Sequence, residues 1–385
     1  MKNIPYDVPG FWEGCLEFVE RRGIDRPRVV IHGGYGKRNL GDDAILHVLI
    51  KRTKRYLPKA HITVICHGPD NVRKWYPDIS IYHFKSLSTL LAIIKSNIYI
   101  IGGGGIVNII NVYSGRKTFK IFDMKGKFLF FAAHLAKFSG AKTHFYAIGA
   151  TSFPDPGVKI LARIVLSKAD FVSVRDPLSI KNIRGIGVKR KLFLVLDPAL
   201  SMETAPRKDV LAALNECGMP ERGSRPFLCL NMRYIGDRKT DNKKTLLETM
   251  RLVEYLIDQK KCDVLFMPAS QHPTKHLEDD LDFGRRLKAE LGEIPHFYLM
   301  EKYYHPRVMM GILAEMDFCI LERLHTVILA SKVGVPFLAI SYDNKVTEYV
   351  KLIEKEKMMI GIEEFKLSEV QEKIDPYLDK IRLNS

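Results

Sequence analysis

Arg323, His325 and Lys345 are the side chains of this sequence whose types and spacing speak most directly of chemistry. Arg323 and His325 stand two apart in Leu321-Glu322-Arg323-Leu324-His325-Thr326, at the end of an apolar run. Lys345 closes Ser341-Tyr342-Asp343-Asn344-Lys345 at the end of the next apolar run. Residues two apart on a strand end share an edge, so the guanidinium and the imidazole face the same way. A guanidinium fork, an imidazole and an ammonium on one rim suit a small, highly charged anion, and the imidazole can pass a proton near neutral pH. Each also has a plainer role. Arg323 has Glu322, Glu315 and Asp317 nearby as ion-pair partners, Tyr342 and Asp343 could shape a turn, and His272 follows a strand with no motif behind it.

Bringing these residues together requires neighbouring parallel strands. From residue 28 onward, short β-branched runs at 29–32, 62–66, 98–101, 143–148, 171–174 and 191–195 alternate with helical patterns at 42–57, 127–139 and 158–168. A second series has strands at 227–232, 263–267, 296–300, 318–321 and 336–341, with helices at 244–259, 277–291, 306–315 and 324–333. Such alternation predicts βαβ units and parallel sheets. The interruption at 202–207 divides the chain into an N-terminal α/β domain, 1–200, and a C-terminal one, 201–385. The fold class is therefore α/β, with two Rossmann-like parallel-sheet domains facing a cleft at their strand carboxyl ends. Helices at 11–22 and 367–381 are expected outside the sheets.

Two glycine-rich loops follow strands of the first domain. Gly33-Gly34-Tyr35-Gly36-Lys37-Arg38-Asn39-Leu40-Gly41-Asp42 opens a helix, and the run 102–105 is four glycines. Bare backbone and helix-start amides suit an anion or a hydroxyl-rich ligand. A dinucleotide fingerprint would need glycine at Asn39 and an acid where Cys66 and His67 close the second strand, so a nicotinamide cofactor is not expected. Tight crossing of strand and helix would explain the glycines without a ligand, and Asn39 and Asp42 also read as helix caps.

Bulk composition sets the frame. At 385 residues the chain is too long for one comfortable core, and 46% hydrophobic with 27% charged residues excludes a disordered or fibrous protein. The net charge of +16 favours anionic partners, but the basic clusters at 51–59 and 181–191 lack interleaved aromatic residues, so no nucleic-acid partner is expected. Cys15, Cys66, Cys217, Cys229, Cys262 and Cys319 are scattered without metal-site spacing, which predicts core thiols in a reducing compartment and no metal. Residues 1–10 lack the apolar stretch of a signal peptide, and runs such as 128–136 fall short of the ~20 residues that cross a bilayer. A cytoplasmic protein is expected, with its positive charge allowing peripheral contact with the inner face of a membrane.

Taken in order, the segment 33–46 (GGYGKRNLGDDAIL), the glycines at 102–105, Val174-Arg175-Asp176, Asp197-Pro198-Ala199, Arg323-Leu324-His325 and residues 340–345 (ISYDNK) resemble the polysaccharide pyruvyl transferase family. The resemblance spans 29–345, departing at Asp43, where Glu is usual, and in the Ile106-Val107-Asn108 continuation of the glycine run. It implies a fold similar to the GT-B glycosyltransferases and an enzyme that forms a pyruvate ketal on a saccharide from phosphoenolpyruvate. His325 is implied as the catalytic acid, and Arg323, Lys345, Arg233 and Arg175 as donor-binding residues. It also implies that the domain 1–200 is the acceptor side and 201–385 the donor side, with Gly33, Gly34, Asn39, Asp42, Gly103 and Gly104 as acceptor-binding residues.

The implied chemistry is consistent with the residue types. C2 of phosphoenolpyruvate accepts a hydroxyl only as C3 is protonated, so a general acid must face C3, and cations must hold the carboxylate and phosphate. Phosphoenolpyruvate would be a co-substrate, with no cofactor needed, and the saccharide acceptor could be lipid-linked. Two other readings remain: a GT-B glycosyltransferase using a nucleotide sugar, and a non-enzymatic anion-binding protein of polysaccharide assembly. The sugar, the ketal stereochemistry and the oligomeric state are not legible in the residues.

Overall fold

Runs of Val and Ile too short for core helices, each followed by an amphipathic segment, bury themselves best as parallel strands covered by helices on both faces. The protein, seen as a computed structural model described for residues 4–104, 124–150, 153, 156–235, 241–272 and 279–384, contains two such sheets. It divides into one unit of Met1–Lys37 with Asp42–Met202 and another of Arg38–Gly41 with Glu203–Ser385. The glycine run's Gly105, its continuation at 106–108, and the start of the helix expected at 277–291 lie outside the described residues.

The first unit runs α1 (Phe11–Glu20), β1 (Arg28–His32), α2 (Leu40–Tyr56), β2 (His61–Cys66), α3 (Pro69–Arg73), β3 (Ser80–His83) and α4 (Leu87–Ile94). It continues with β4 (Ile98–Gly104), α5 (Met124–Phe138), β5 (Lys142–Ile148), α6 (Pro156–Lys168), β6 (Phe171–Val174), α7 (Pro177–Gly185) and β7 (Phe193–Leu194). Its seven strands are ordered β3-β2-β1-β4-β5-β6-β7 and pair in parallel. The strand order reverses between β1 and β4, which puts both glycine-rich loops at the topological switch point. Alternate residues of these strands serve opposite faces. Val29, Ile31, Ile98 and Ile100 pack with α1 and α2 through Phe11, Trp12, Ile45 and Leu49. Val30, Tyr99 and Ile101 pack with α4 to α7 through Ile93, Phe130, Val158 and Ile183.

The second unit runs α8 (Arg207–Glu216), β8 (Phe227–Asn231), α9 (Asn242–Asp258), β9 (Asp263–Phe266), α10 (Asp280–Leu291), β10 (Phe297–Leu299) and α11 (Pro306–Ala314). β11 (Phe318–Leu321), α12 (Leu324–Val333), β12 (Phe337–Ser341), α13 (Asn344–Leu352), β13 (Met359–Gly361) and α14 (Leu367–Asn384) complete it. The strand order is β10-β9-β8-β11-β12-β13, again parallel. Leu321 is in register with both Asn231 and Ala339, so the carboxyl ends of β8, β11 and β12 lie side by side. α14 returns Val370, Ile374 and Leu378 to this unit's core.

Two strands escaped the sequence pattern, the four-residue β3 and the three-residue β13, each too short to show alternation. The run at 191–195 forms a strand only at Phe193–Leu194. None of the six cysteines is in a disulfide, and all but Cys217 are buried. No helix among the described residues is long and apolar enough to cross a membrane.

Candidate active site

The site of the second unit is built on Asn231, the last residue of β8, which is wholly buried. Its amide nitrogen donates to the Met267 carbonyl at 3.0 Å and to Asp280 at 3.3 Å, and its amide oxygen accepts the Arg323 N–H at 3.1 Å. One amide thus ties the ends of β8 and β11 to the first residue of α10. Asp280 is also fully buried and accepts the backbone N–H groups of Ala269 and Ser270 at 3.1 Å each. Its strongest partner is Arg323: Nε reaches Oδ1 at 3.0 Å and Oδ2 at 3.1 Å, while Nη2 reaches Oδ1 at 2.5 Å. The nearby acids suggested by the sequence are therefore not the ones bonded to this guanidinium. Glu315 pairs with Arg207 and Asp317 with Arg222.

Beside this pair, Glu322 is 0% exposed. Its Oε2 accepts the Arg233 N–H at 3.0 Å, while Oε1 has no hydrogen-bond partner among the described residues and stands 3.9 Å from Arg233 Nε. A charged carboxylate with a bare oxygen in a dry site is costly. Burial accordingly pushes the Glu322 carboxyl up to about 8, against the pull of the Arg233 and Arg323 charges. That shift favours the neutral carboxylic acid over the carboxylate.

Tyr342, which follows β12, is the focus of the remaining charges. The Arg233 guanidinium lies 4.8 Å from its ring centre and the Lys345 ammonium 5.2 Å, both within cation–π range. Burial alone would lift the phenol's pKa, but Lys345, Arg233 and Arg323 together outweigh it and hold the phenol below its ordinary range. For Lys345, the desolvation that would favour its neutral form is outweighed by Tyr342 and Asp343, and its pKa is raised. Lys345 Nζ is 3.3 Å from Asp343 Oδ2, and Asp343 Oδ1 also caps α13 through the Lys345 N–H.

His325 is the second residue of α12, half-buried, within the first turn, where Thr326 Oγ1 donates to the Arg323 carbonyl at 2.6 Å. Its ring lies directly against the backbone of Gly41. A Cβ at that glycine would stand far inside contact distance of the ring's Nδ1, Cγ and Cε1. Gly41 is held there as part of Arg38–Gly41. Leu40 N–H donates to Ala269 O at 2.9 Å, Gln271 N–H donates to Arg38 O at 3.0 Å, and Asn39 bridges Ser270 in antiparallel fashion. Asn39 folds its side chain back to accept the Gly41 N–H at 3.2 Å, and Arg38 takes a positive φ of 55°. His272 follows Gln271 and is half-buried.

The other residues singled out lie in the first unit. Gly33 and Gly102 make room for Tyr35, whose phenol is buried between them without a hydrogen-bond partner among the described residues. Gly103 makes room for Ile45 at 2.9 Å, and Gly34 and Gly104 for the Asp42 carboxylate at 3.1 and 2.5 Å. Tight packing accounts for bare backbone at all five positions, and of the acceptor-side residues in this unit only Gly34 and Asp42 are more than marginally exposed. Arg175 pairs at 2.8 Å with Asp197, both nearly buried. It does not pair with Asp176, which caps α7, or with Asp170, which binds Lys137. The structure thus gathers Arg233, Arg323, His325 and Lys345 in one unit and leaves Arg175 in the other.

Sequence reasoning passed over Gly41, Asn231, Asp280, Glu322 and Tyr342 as site residues. Gly41 and Tyr342 were visible inside quoted motifs, and Glu322 precedes Arg323, but nothing in the chain marks Asp280 as the partner of a residue 43 positions away. Among the described residues no group of three His, Cys, Asp or Glu is arranged to hold a metal ion.

Two parallel-sheet α/β domains, the second bearing a charged cluster on its strand ends, define a protein of the GT-B type. UDP-GlcNAc 2-epimerase from Methanocaldococcus jannaschii is similar over 92% of this chain and 92% of its own, with a TM-score of 0.57 and 13% identity. A glycosyltransferase from Rickettsia africae ESF-5 is similar over 93% and 92%, with a TM-score of 0.53 and 14% identity. The ADP-heptose lps heptosyltransferase II of E. coli is similar over 92% and 100%, at 0.50 and 11%. At such identities the likeness is one of fold. The pattern of the polysaccharide pyruvyl transferase family matches residues 39–344, and the chain belongs to that family. No curated protein sequence matches it.

Proposed function

We propose that this transferase moves a pyruvyl group from phosphoenolpyruvate to a saccharide, forming a ketal and releasing phosphate. The observation that carries the reading is the gathering of Arg233, Lys345 and Arg323 around Tyr342: Arg323 follows the strand that leads into His325, and Arg233 and Lys345 follow the strands on either side of it. With Glu322 protonated, these three cations face two carboxylates, Asp280 and Asp343, leaving an excess positive charge for an anionic donor.

In this scheme the His325 imidazolium donates a proton to C3, a saccharide hydroxyl bonds to C2, and phosphate departs with its bridging oxygen. A second hydroxyl then closes the ketal. Of the two hydroxyl protons, one replaces the proton now in the methyl group and the other leaves with phosphate. Arg233 and Lys345 hold the donor's carboxylate and phosphate. Arg323, already locked to Asp280, stiffens the strand end and contributes its field. Gly41 gives the imidazole a flat seat. Arg175 is balanced by Asp197, so the donor role implied by resemblance is not carried forward.

The test is phosphate release from phosphoenolpyruvate over a panel of saccharides. His325→Ala should abolish release with donor binding retained, and an active variant removes the proposed acid. Phosphoenolpyruvate should raise the melting temperature while uridine diphosphate should not, and the reverse ranking would favour nucleotide-sugar transfer.

A further inference from the structure

The helices α4, α5 and α6 of the first unit pack in that order on one sheet face. Of the thirteen large apolar side chains exposed among the described residues, eight lie on these three helices, while the rest are dispersed. Phe138 is 86% exposed, Leu87 75% and Ile160 62%, with Phe131, Leu91 and Ile164 beside them on the same helices. Isolated exposed apolar residues are ordinary, but a gathered set marks a surface that meets something apolar.

The charges on the same elements identify the partner. The sequences of α4 (LSTLLAII), α5 (MKGKFLFFAAHLAKF) and α6 (PGVKILARIVLSK) contain no Asp or Glu. Exposed Lys159, Arg163 and Lys168 lie on α6, and exposed Lys85 and Lys95 flank α4. A second copy of the chain would set this basic face against an identical one with no acid to answer it. Aromatic and aliphatic side chains interspersed with Lys and Arg match the boundary of an anionic bilayer, where apolar groups enter the acyl region and cations meet headgroup phosphates.

We infer that the outer face of α4, α5 and α6 docks the protein onto a membrane surface bearing anionic phospholipid. This does not depend on the identity of the donor. Docking would suit an acceptor carried on a lipid.

Co-sedimentation of the full chain with phosphatidylglycerol-containing and pure phosphatidylcholine vesicles tests it. Binding should require phosphatidylglycerol and weaken with salt. The double variant Leu87→Ser/Phe138→Ser should lose at least about tenfold in vesicle partition with an unchanged Tm, because both side chains already face water. Lys159→Glu/Arg163→Glu should weaken binding and flatten its salt dependence, each cation being worth roughly fivefold near such a surface. Absence of parent binding, or variants that bind as the parent does, overturns the inference. A parent dimer that Leu87→Ser/Phe138→Ser dissociates would assign the face to a second copy instead.

Discussion

Glycines of the first unit and Gly41 of the second answer to different masters. Gly33, Gly102 and Gly103 vacate space for Tyr35 and Ile45, and Gly34 and Gly104 vacate it for Asp42. Gly41 vacates space for the imidazole of His325. All fall in glycine-rich segments that read alike in the sequence as ligand-binding backbone, yet the first five accommodate residues of their own unit and the sixth a group proposed to move a proton. A missing side chain says only that something is close; the identity of the neighbour decides whether the closeness belongs to the fold or to the chemistry.

Substitutions at these glycines should break that comparison if it is false. The largest expected effect is at Gly41→Ala, whose methyl must displace the His325 ring. Phosphate release should fall by about a hundredfold or more, the usual worth of a positioned general acid, with the Tm little altered. If Gly41→Ala is active and merely less stable, the glycine serves packing like the others. Arg323→Ala follows, because it strands buried Asp280 without its partner. Denaturant unfolding should show a loss of about 3–5 kcal/mol, and a loss under 1 kcal/mol would make the pair a surface-like one.

Gly102→Ala overpacks Tyr35 and should cost about 1–3 kcal/mol in the same measurement while kcat per folded molecule is retained. Lys345→Ala, at the edge of the cluster, should raise the KM for phosphoenolpyruvate more than it lowers kcat. A change confined to kcat would remove it from donor binding. The smallest effect is one of pH. Glu322 binds its proton more tightly folded than unfolded, so its contribution to stability is full below about pH 4.5 and is lost as pH rises toward about 8. Glu322→Gln, which mimics the neutral acid, should flatten that decline in unfolding experiments across the same window; an unchanged slope would mean the carboxyl is ionised throughout.

How much of this could be read from residues alone follows the range of the forces involved. The alternation of strands and helices is local, and the two parallel sheets were legible from it. So was the placement of Arg323, His325 and Lys345 at neighbouring strand ends, because parallel sheets gather residues from motifs far apart in sequence. Strands β3 and β13 were not, since three or four residues pair only when a neighbour offers an edge. The Arg323–Asp280 and Arg175–Asp197 pairs depend on which loops meet. Periodicity says nothing of that. The exposed apolar face of α4 was not legible either, because LSTLLAII carries no charge to mark its wet side.

The assignment of Arg38–Gly41 to the second unit has a practical corollary. No single cut yields that half whole: a fragment beginning at Glu203 would fold, if it folds, without the tetrapeptide against which the His325 ring rests. Split or permuted versions of this protein must carry those four residues across, either fused or supplied as a peptide, and restoration of the histidine's environment on adding such a peptide would be visible by NMR. The chain has in effect lent a strip of its amino-terminal half to finish the carboxy-terminal one.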